Sequence, residues 1–440
     1  VLYDTSILPD GPTLACIGIG LGLLAMAEAV ATSAGRLRRY AGAGLAFALA
    51  IALRSNVALT GLFLGLMILV RRNRSERPVF PWKNALAFVA PILLAAAGIT
   101  VLNGIAEGIW SPASQNSGIN LYIGNNAAST GLYTNLDGRI ASLEDPKGRS
   151  EPEQVLGPGL DSRQVNRYWF RLALNRIRSE PAATLSLWFR KFLLVWTHRE
   201  IPQMEHYRLA RMESAGYRFA PFGFVFIFAL AAAGTPVLLR RENRYRTGVL
   251  VIVLLTGAAT CTVFFVNGRW RLPIWAALLP MAGCGVASLV HSSLRREWRK
   301  IAGGLFSAGA AVLFSFLIQV PLAAKTSPEY SALRYALVEL QAGNLEPARR
   351  WAEREQAWRN GTEPSPKVLL ERAAVQAKLG DYRGAFRSLV EAADRLPENL
   401  QAQQGLLAVC HKLEQRGEAD RSVRAAASRA RRRLREANER

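Results

Sequence analysis

Cysteine and histidine are scarce in this chain, at four each among 440 residues. Cys16, Cys261, Cys284 and Cys410 show no zinc-type spacing and no disulfide framework, so redox chemistry has no foothold. His198, His206, His291 and His411 give neither a metal-ligand spacing nor a nucleophile triad, and no metal is assigned. A glycine-rich phosphate loop and a dinucleotide fingerprint are both lacking, so no soluble nucleotide cofactor is expected. Acidic residues are also few: 33 Asp and Glu against 55 Lys and Arg leave a net charge of +22. That charge invites a nucleic-acid reading, but much of the excess stands beside apolar runs, at Arg36, Arg38, Arg39, Arg71, Arg72, Arg74, Arg240, Arg241, Arg295, Arg296 and Arg299. Arginines in those places are the topology signal of a membrane protein, and nucleic acid is set aside as a partner.

What the chain does have is apolar runs, eight of them, at roughly 11–33, 41–53, 57–70, 84–105, 219–239, 247–266, 273–291 and 302–323. Five or six are long enough to cross about 30 Å of hydrocarbon as helices, and the pair within 41–70 is individually short. The expected fold is an all-α membrane protein: a multi-span transmembrane helix bundle with a large outer loop and a C-terminal α-solenoid. The expected division is 1–105 and 218–323 as transmembrane helices, 106–217 as an extracytoplasmic loop, and 324–440 as a helical domain with a basic tail. Because the chain begins at Val1 without a methionine, it is expected to be a fragment.

The basic loops at 35–40, 71–83, 240–246 and 293–300 all fall in the cytoplasm only if 41–53 and 57–70 form a hairpin turning at Arg54-Ser55-Asn56. One long span broken at Arg54 would put the later spans a crossing out of step. The hairpin places 1–10, 106–217, 267–272 and 324–440 on the non-cytoplasmic side, where the chemistry is expected. Within the loop, a helical segment near 164–197 carries the apolar patch Leu185, Trp188, Phe189, Phe192, Leu193 and Trp196. Such a helix either lies at the membrane interface or packs on the loop domain.

Beyond Glu329 the sequence becomes amphipathic, alanine-rich and repetitive. Ala373, Ala385, Leu389, Ala392 and Pro397 have the spacing of contact positions in a tetratricopeptide unit, with Gly380-Asp381-Tyr382 as the turn. Ala336, Gly343 and Ala348 repeat three of these points 37 residues earlier, and Leu407, Ala419 and Ala426 mark a looser third copy. Such repeats either bind a partner protein or brace the outer loop. The tail Arg421 to Arg440 reads as a basic helix, either solvated or set against anionic lipid or polymer.

Polar groups at the outer ends of the spans carry the site reading. Asp10 begins the first span, as an N-cap or as part of a site. Arg54, with Ser55 and Asn56, would present a guanidinium and an amide to a phosphate, or reach to headgroups. Arg269 and Arg271, in Arg269-Trp270-Arg271-Leu272-Pro273, are outer arginines that contradict the general charge bias, and an anionic ligand would explain them. Interfacial anchoring around Trp270 is the alternative. The run from Gly118 to Asn126 is polar and glycine-punctuated; the amides of Asn125 and Asn126 and the ring of Tyr122 suit sugar hydroxyls and sugar faces, or else form a turn-rich loop core. Glu28 sits toward the cytoplasmic half of its span and reads as paired within the bundle.

These pieces, together with Leu2-Tyr3-Asp4, Gly42 to Arg54, and Arg190-Lys191 followed by Glu200-Ile201-Pro202, stand in one order over most of residues 1–290. In that order the chain resembles the polytopic GT-C glycosyltransferases related to protein O-mannosyltransferases and to the aminoarabinose transferase of lipid A. The resemblance implies transfer of a sugar from a polyprenyl-phosphate carrier, as donor substrate, to an acceptor on the outer side. It implies that Arg269 and Arg271 hold the carrier phosphate, assisted by Arg54 or Lys191, and that Asp10 and Glu200 orient the acceptor or support the site. The family's principal carboxylate would precede Val1, so no residue here takes that role and the fragment is expected to be inactive alone. A polymerase or ligase of lipid-linked polysaccharide suits the outer arginines as well. A scaffold or transporter recruiting partners through its repeats would need a polar path through the bilayer, and the spans offer little beyond Glu28.

Overall fold

A computed structural model describes residues 10–30, 32–70, 81–112, 116–133, 148–199, 201, 223–320, 328–358, 363–397 and 399–438. Among these, every regular element is helical, apart from one isolated parallel bridge between Leu132 and Val266. The chain divides into two compact units. One comprises Val1–Gln203 and Ala220–Val320; the other comprises Met204–Phe219 and Pro321–Arg440, of which 204–219 lie outside the described residues.

The first unit holds α1 (Asp10–Ala27), α2 (Ser33–Leu53), α3 (Ala58–Val70), α4 (Pro81–Glu107), α5 (Ser117–Asn125), α6 (Ser150–Leu156), α7 (Ser162–Ser179), α8 (Pro181–Leu194), α9 (Phe224–Leu238), α10 (Arg244–Val263), α11 (Gly268–Leu294) and α12 (Trp298–Leu317). Among the described residues four helices are long and apolar enough to cross a membrane, at Trp82–Ala106, Arg244–Val263, Gly268–Leu294 and Trp298–Leu317; three apolar helices, Gly11–Ala27, Ser55–Val70 and Phe224–Leu238, are shorter. That composition is the mark of a membrane protein.

Close contacts fix the helix directions. Gly20 of α1 packs against Phe47 of α2, and Arg39 donates to the Met26 carbonyl at 2.8 Å, so α1 and α2 run antiparallel. Gly44 of α2 abuts the Phe88 backbone while Gly65 of α3 meets Val89, and Gly61 meets both Ile92 and Ile51. The hairpin expected from charge is therefore the observed geometry: α2 ends at Leu53, Arg54 is extended (φ −146°, ψ 104°), and α3 returns beside α4 after one 3₁₀ turn at Ser55–Val57. α10 runs against α3, with Thr60 and Thr256 hydroxyls 2.7 Å apart near one end and Gly248 beside Met67 near the other. Phe224 stands by Trp275 and Gly234 by Gly285, so α9 and α11 run parallel. The alternation collects the breaks after α1, α9 and α11 at one end of the unit. Arg54, the start of α1 and the α10–α11 connection lie at the other.

Three boundaries differ from the sequence reading. The span drawn as 11–33 ends at Ala27, and α2 begins at Ser33, where Thr32 caps it and takes in the basic turn Arg36 to Arg39. The helical segment expected near 164–197 is formed by two helices, with Pro181 opening α8 directly after α7. The run from Gly118 to Asn125 is helix α5 rather than a loop, with Asn126 in the turn that follows. Its glycines have a packing reason: a Cβ at Gly118 would overlap the Asn166 carbonyl oxygen, and one at Gly124 that of Phe264. α5 thus lies directly on α7 and on the segment after α10, over a core of Ile119, Ile123, Val165, Trp169 and Phe265. Glu28 is paired as expected, accepting from the Tyr40 hydroxyl at 3.1 Å, beside Tyr245.

The second unit holds three helical hairpins among the described residues: α13 (Pro328–Gln341) with α14 (Leu345–Trp358), α15 (Pro366–Lys378) with α16 (Tyr382–Arg395), and α17 (Leu400–Gln415) with α18 (Arg421–Asn438). Gly343, Gly380 and Gly417 occupy the turn of each, with φ of +80°, +84° and +71°, at a regular 37-residue interval. Glycine adopts that left-handed conformation without steric cost. Ala336, Ala373 and Cys410, at the same interval, are all buried where paired helices meet.

Candidate functional site: a basic end of the helix bundle

Asn267 organises this end of the first unit. Its extended backbone (φ −152°, ψ 169°) stops the chain after α10, and its side-chain oxygen accepts from Trp270 N at 2.7 Å, capping α11. The first turn of α11 therefore carries Arg269, Trp270 and Arg271, and Trp270 packs on Phe264 and Phe265.

Arg271 is fully buried. One guanidinium nitrogen donates to the Val195 and Thr197 carbonyls at 3.4 and 3.0 Å, and the other to the Arg199 carbonyl at 3.0 Å. These oxygens follow the C-terminus of α8, where a cation also opposes the helix dipole's negative end. The guanidinium stands 4.5 Å from the Phe224 ring centroid, so this one side chain joins α8, α9 and α11. Arg54, half-buried at the hairpin tip, donates to the Arg269 carbonyl at 3.2 Å. Arg269 is half-buried as well.

Lys191, on the inner face of α8, is fully buried, and its ammonium donates to Asn125 Oδ1 at 3.1 Å and to the Val263 carbonyl at 3.4 Å. Trp188 Nε1 donates to the same Asn125 oxygen at 2.8 Å, and Asn125 Nδ2 donates to the Leu121 and Val263 carbonyls, each at 2.8 Å. Among the described residues no carboxylate forms an ion pair with Lys191. Burial in this neutral cage pushes its pKa from an ordinary 10.5 down to about 7. Because the folded value lies below the unfolded one, the penalty is present in full below pH 7. It is relieved as pH rises from 7 toward 10.5, where the unfolded chain alone still holds the proton. Relative to Lys191→Met, the parent protein is expected to gain on the order of 2 kcal/mol between about pH 7 and pH 9, read as parallel thermal melts of both proteins. Identical pH slopes for the two would show that Lys191 does not titrate in this range.

Asn126 is a turn residue: its amide donates to the Tyr122 and Ile123 carbonyls at 2.9 and 3.0 Å and its oxygen accepts from Ala128 N at 2.9 Å. Tyr122 packs on Trp169, ring centroids 4.9 Å apart. The structure thus gathers Arg54, Arg269, Arg271, Lys191, Tyr122 and Asn125 at one end of the unit, with Asn126 beside them. Asp10 opens α1 at the same end, its side chain outside the description, and Glu200 lies outside the described residues. Sequence reasoning missed Trp188 as a polar partner of Asn125, and it missed the carbonyl ladder after α8. His198 strengthens that ladder, its Nδ1 donating to the Ser315 carbonyl at 3.1 Å and its ring stacked on Phe316.

The opposite face of α8 is apolar and bare. Leu185, Phe189 and Phe192 are all exposed and recur at the i, i+4, i+7 spacing of one helical stripe, while Thr184, Lys191 and Leu194 are buried. Among the described residues no group of three or more His, Cys, Asp or Glu gathers as a metal site would require. The class these features define is a helical membrane protein with a basic end beside an apolar amphipathic helix. No family model matches the chain, and neither a curated protein nor a solved structure is detectably similar to it.

Proposed function

We propose that this chain is a glycosyltransferase of the GT-C type in the cytoplasmic membrane, moving a sugar from a polyprenyl-phosphate carrier to an acceptor on the extracytoplasmic side. The observation that carries the reading is the cluster of Arg54, Arg269, Arg271 and Lys191 at the bundle end opposite the basic turns, next to the bare face of α8. Cations so placed suit a phosphate presented at a membrane surface, and Leu185, Phe189 and Phe192 suit its prenyl chain or the acyl boundary. Arg54 and Arg269, half-buried and adjacent, would take the phosphate oxygens. Arg271 and Lys191, turned inward, would form the floor that holds them.

In the transfer, an acceptor hydroxyl attacks the anomeric carbon, the bond from that carbon to the phosphate oxygen breaks, and the hydroxyl proton passes to a base. The cationic pair stabilises the departing lipid phosphate. No residue of this chain is assigned as the base. The three hairpins of the second unit are read as tetratricopeptide-like repeats that engage a protein partner, supported by their glycine turns at a constant interval. In the full-length protein, substituting Arg269→Ala is expected to lower kcat/KM by about 100-fold in membranes supplied with polyprenyl-phosphate sugars, the loss typical of removing one preorganised donor. Arg269→Lys should recover part of it. Full turnover by both, at equal protein levels, would remove Arg269 from the site.

A further inference from the structure

Helix α18 carries five like charges on one face, and among the described residues a single carboxylate, Glu436, pairs with them. Its buried face is Val423, Ala426, Ala427 and Ala430. At about 100° per residue, Arg421, Arg424, Arg431, Arg432 and Arg435 fall within a sector of about 100° on the opposite side, spread over about 21 Å. All five are exposed. Among the described residues the stripe's one ion pair is Arg432 with Glu436, at 3.8 Å. Several other arginines of the unit are paired: Arg383 with Asp420, Arg395 with Glu391 and Glu363, Arg372 with Glu355, and Arg334 with Glu371.

Like charges three and four residues apart oppose helix formation. The helix dipole offsets this for Arg431, Arg432 and Arg435 near the C-terminus. It does the reverse for Arg421 and Arg424 in the first turns, where the dipole's positive end repels a cation. A folded helix that nevertheless holds all five is built to meet an external anion. The stripe has no aromatic ring on which bases could stack and no apolar side chain to insert, so the contact is with charge at a surface.

We propose that the arginine face of α18 docks on the headgroups of anionic membrane lipids. The hairpins of this unit follow the end of α12, a helix long and apolar enough to cross a membrane, through residues 318–327, which keeps a bilayer surface at high effective concentration. Free phosphate or a soluble polyanion would have no such advantage. The inference is independent of the transfer reaction.

The test uses the full chain in vesicles, with a donor dye on Ala425→Cys, an exposed position beside the stripe, and a trace of acceptor-labelled lipid. The parent protein treated with the same dye supplies the background from native cysteines. Energy transfer is expected to rise about twofold when phosphatidylcholine vesicles gain about 30 mol % phosphatidylglycerol, and to return to baseline in about 0.5 M salt. The combined Arg421→Gln, Arg424→Gln, Arg431→Gln and Arg435→Gln variant should lose the rise, and the matching four-lysine variant should keep it. Equal transfer in both lipids, or a rise that survives the glutamine substitutions, overturns the proposal. So does a dye response to added polyphosphate with none to phosphatidylglycerol, which would assign the stripe to a soluble acidic polymer. If the glutamine variant fails to fold by circular dichroism, the lysine variant and the salt series decide.

Discussion

Arg271→Ala is expected to destabilise the first unit by about 3–5 kcal/mol, the range for removing a buried charge that satisfies several partners. The substitution leaves the Val195, Thr197 and Arg199 carbonyls without their guanidinium donor, the first two on fully buried residues. Each buried acceptor left unmade costs about 1–3 kcal/mol. It also empties the space against Phe224, so α8, α9 and α11 lose their common tie. Arg271→Lys should fare little better, because one ammonium cannot span three carbonyls as a planar fork does. Thermal melts in detergent, followed by circular dichroism, measure this directly. A melting temperature for Arg271→Ala equal to that of the parent would show that the guanidinium supports nothing. The family resemblance implies that Arg271 holds the carrier phosphate. In the structure its guanidinium is bonded to three main-chain carbonyls, so reduced stability should accompany any loss of transfer.

The second large effect belongs to the other unit. Glu355 and Arg372 form a bidentate pair, 3.1 and 2.5 Å, between α14 and α15, with both residues buried. Arg372→Met should cost about 3–5 kcal/mol because it strands the carboxylate in an apolar interface, whereas Arg372→Met combined with Glu355→Leu should recover most of the loss. A double variant no more stable than the single one would mean that the pair's value lies in its hydrogen bonds to each other. Urea unfolding of the parent and the two variants supplies the comparison.

Periodicity and charge made much of this molecule legible before any coordinates. The spacing of basic turns along the chain pointed to a hairpin at Arg54, and two helices do meet there in a turn. The glycine turn at Gly380 and its earlier copy at Gly343 were readable too, while Gly417 escaped notice although it stands at the same interval. Its repeat has Cys410 where the others have alanine, which hid the match. The α5 helix was not legible: glycines that exist for close backbone contact with Asn166 and Phe264 look, in sequence, like loop punctuation. Nor was the orientation of the cations. Spacing places Arg269 and Arg271 on one turn, but only the path of residues 195–199 sends Arg271 inward and leaves Arg269 half-buried.

The central claim is that the Arg54 end of the bundle binds a polyprenyl phosphate, and a photoreactive analogue of that lipid tests it most directly. Reconstituted protein is illuminated with the analogue, digested, and its labelled peptides are mapped. The account predicts labelling concentrated on the peptides around Arg54, on α8 and around Arg269, competed by unlabelled polyprenyl phosphate and reduced in the combined Arg54→Ala and Arg269→Ala variant. Labelling spread evenly over the lipid-facing helices, or unaffected by competitor and by both substitutions, would contradict it.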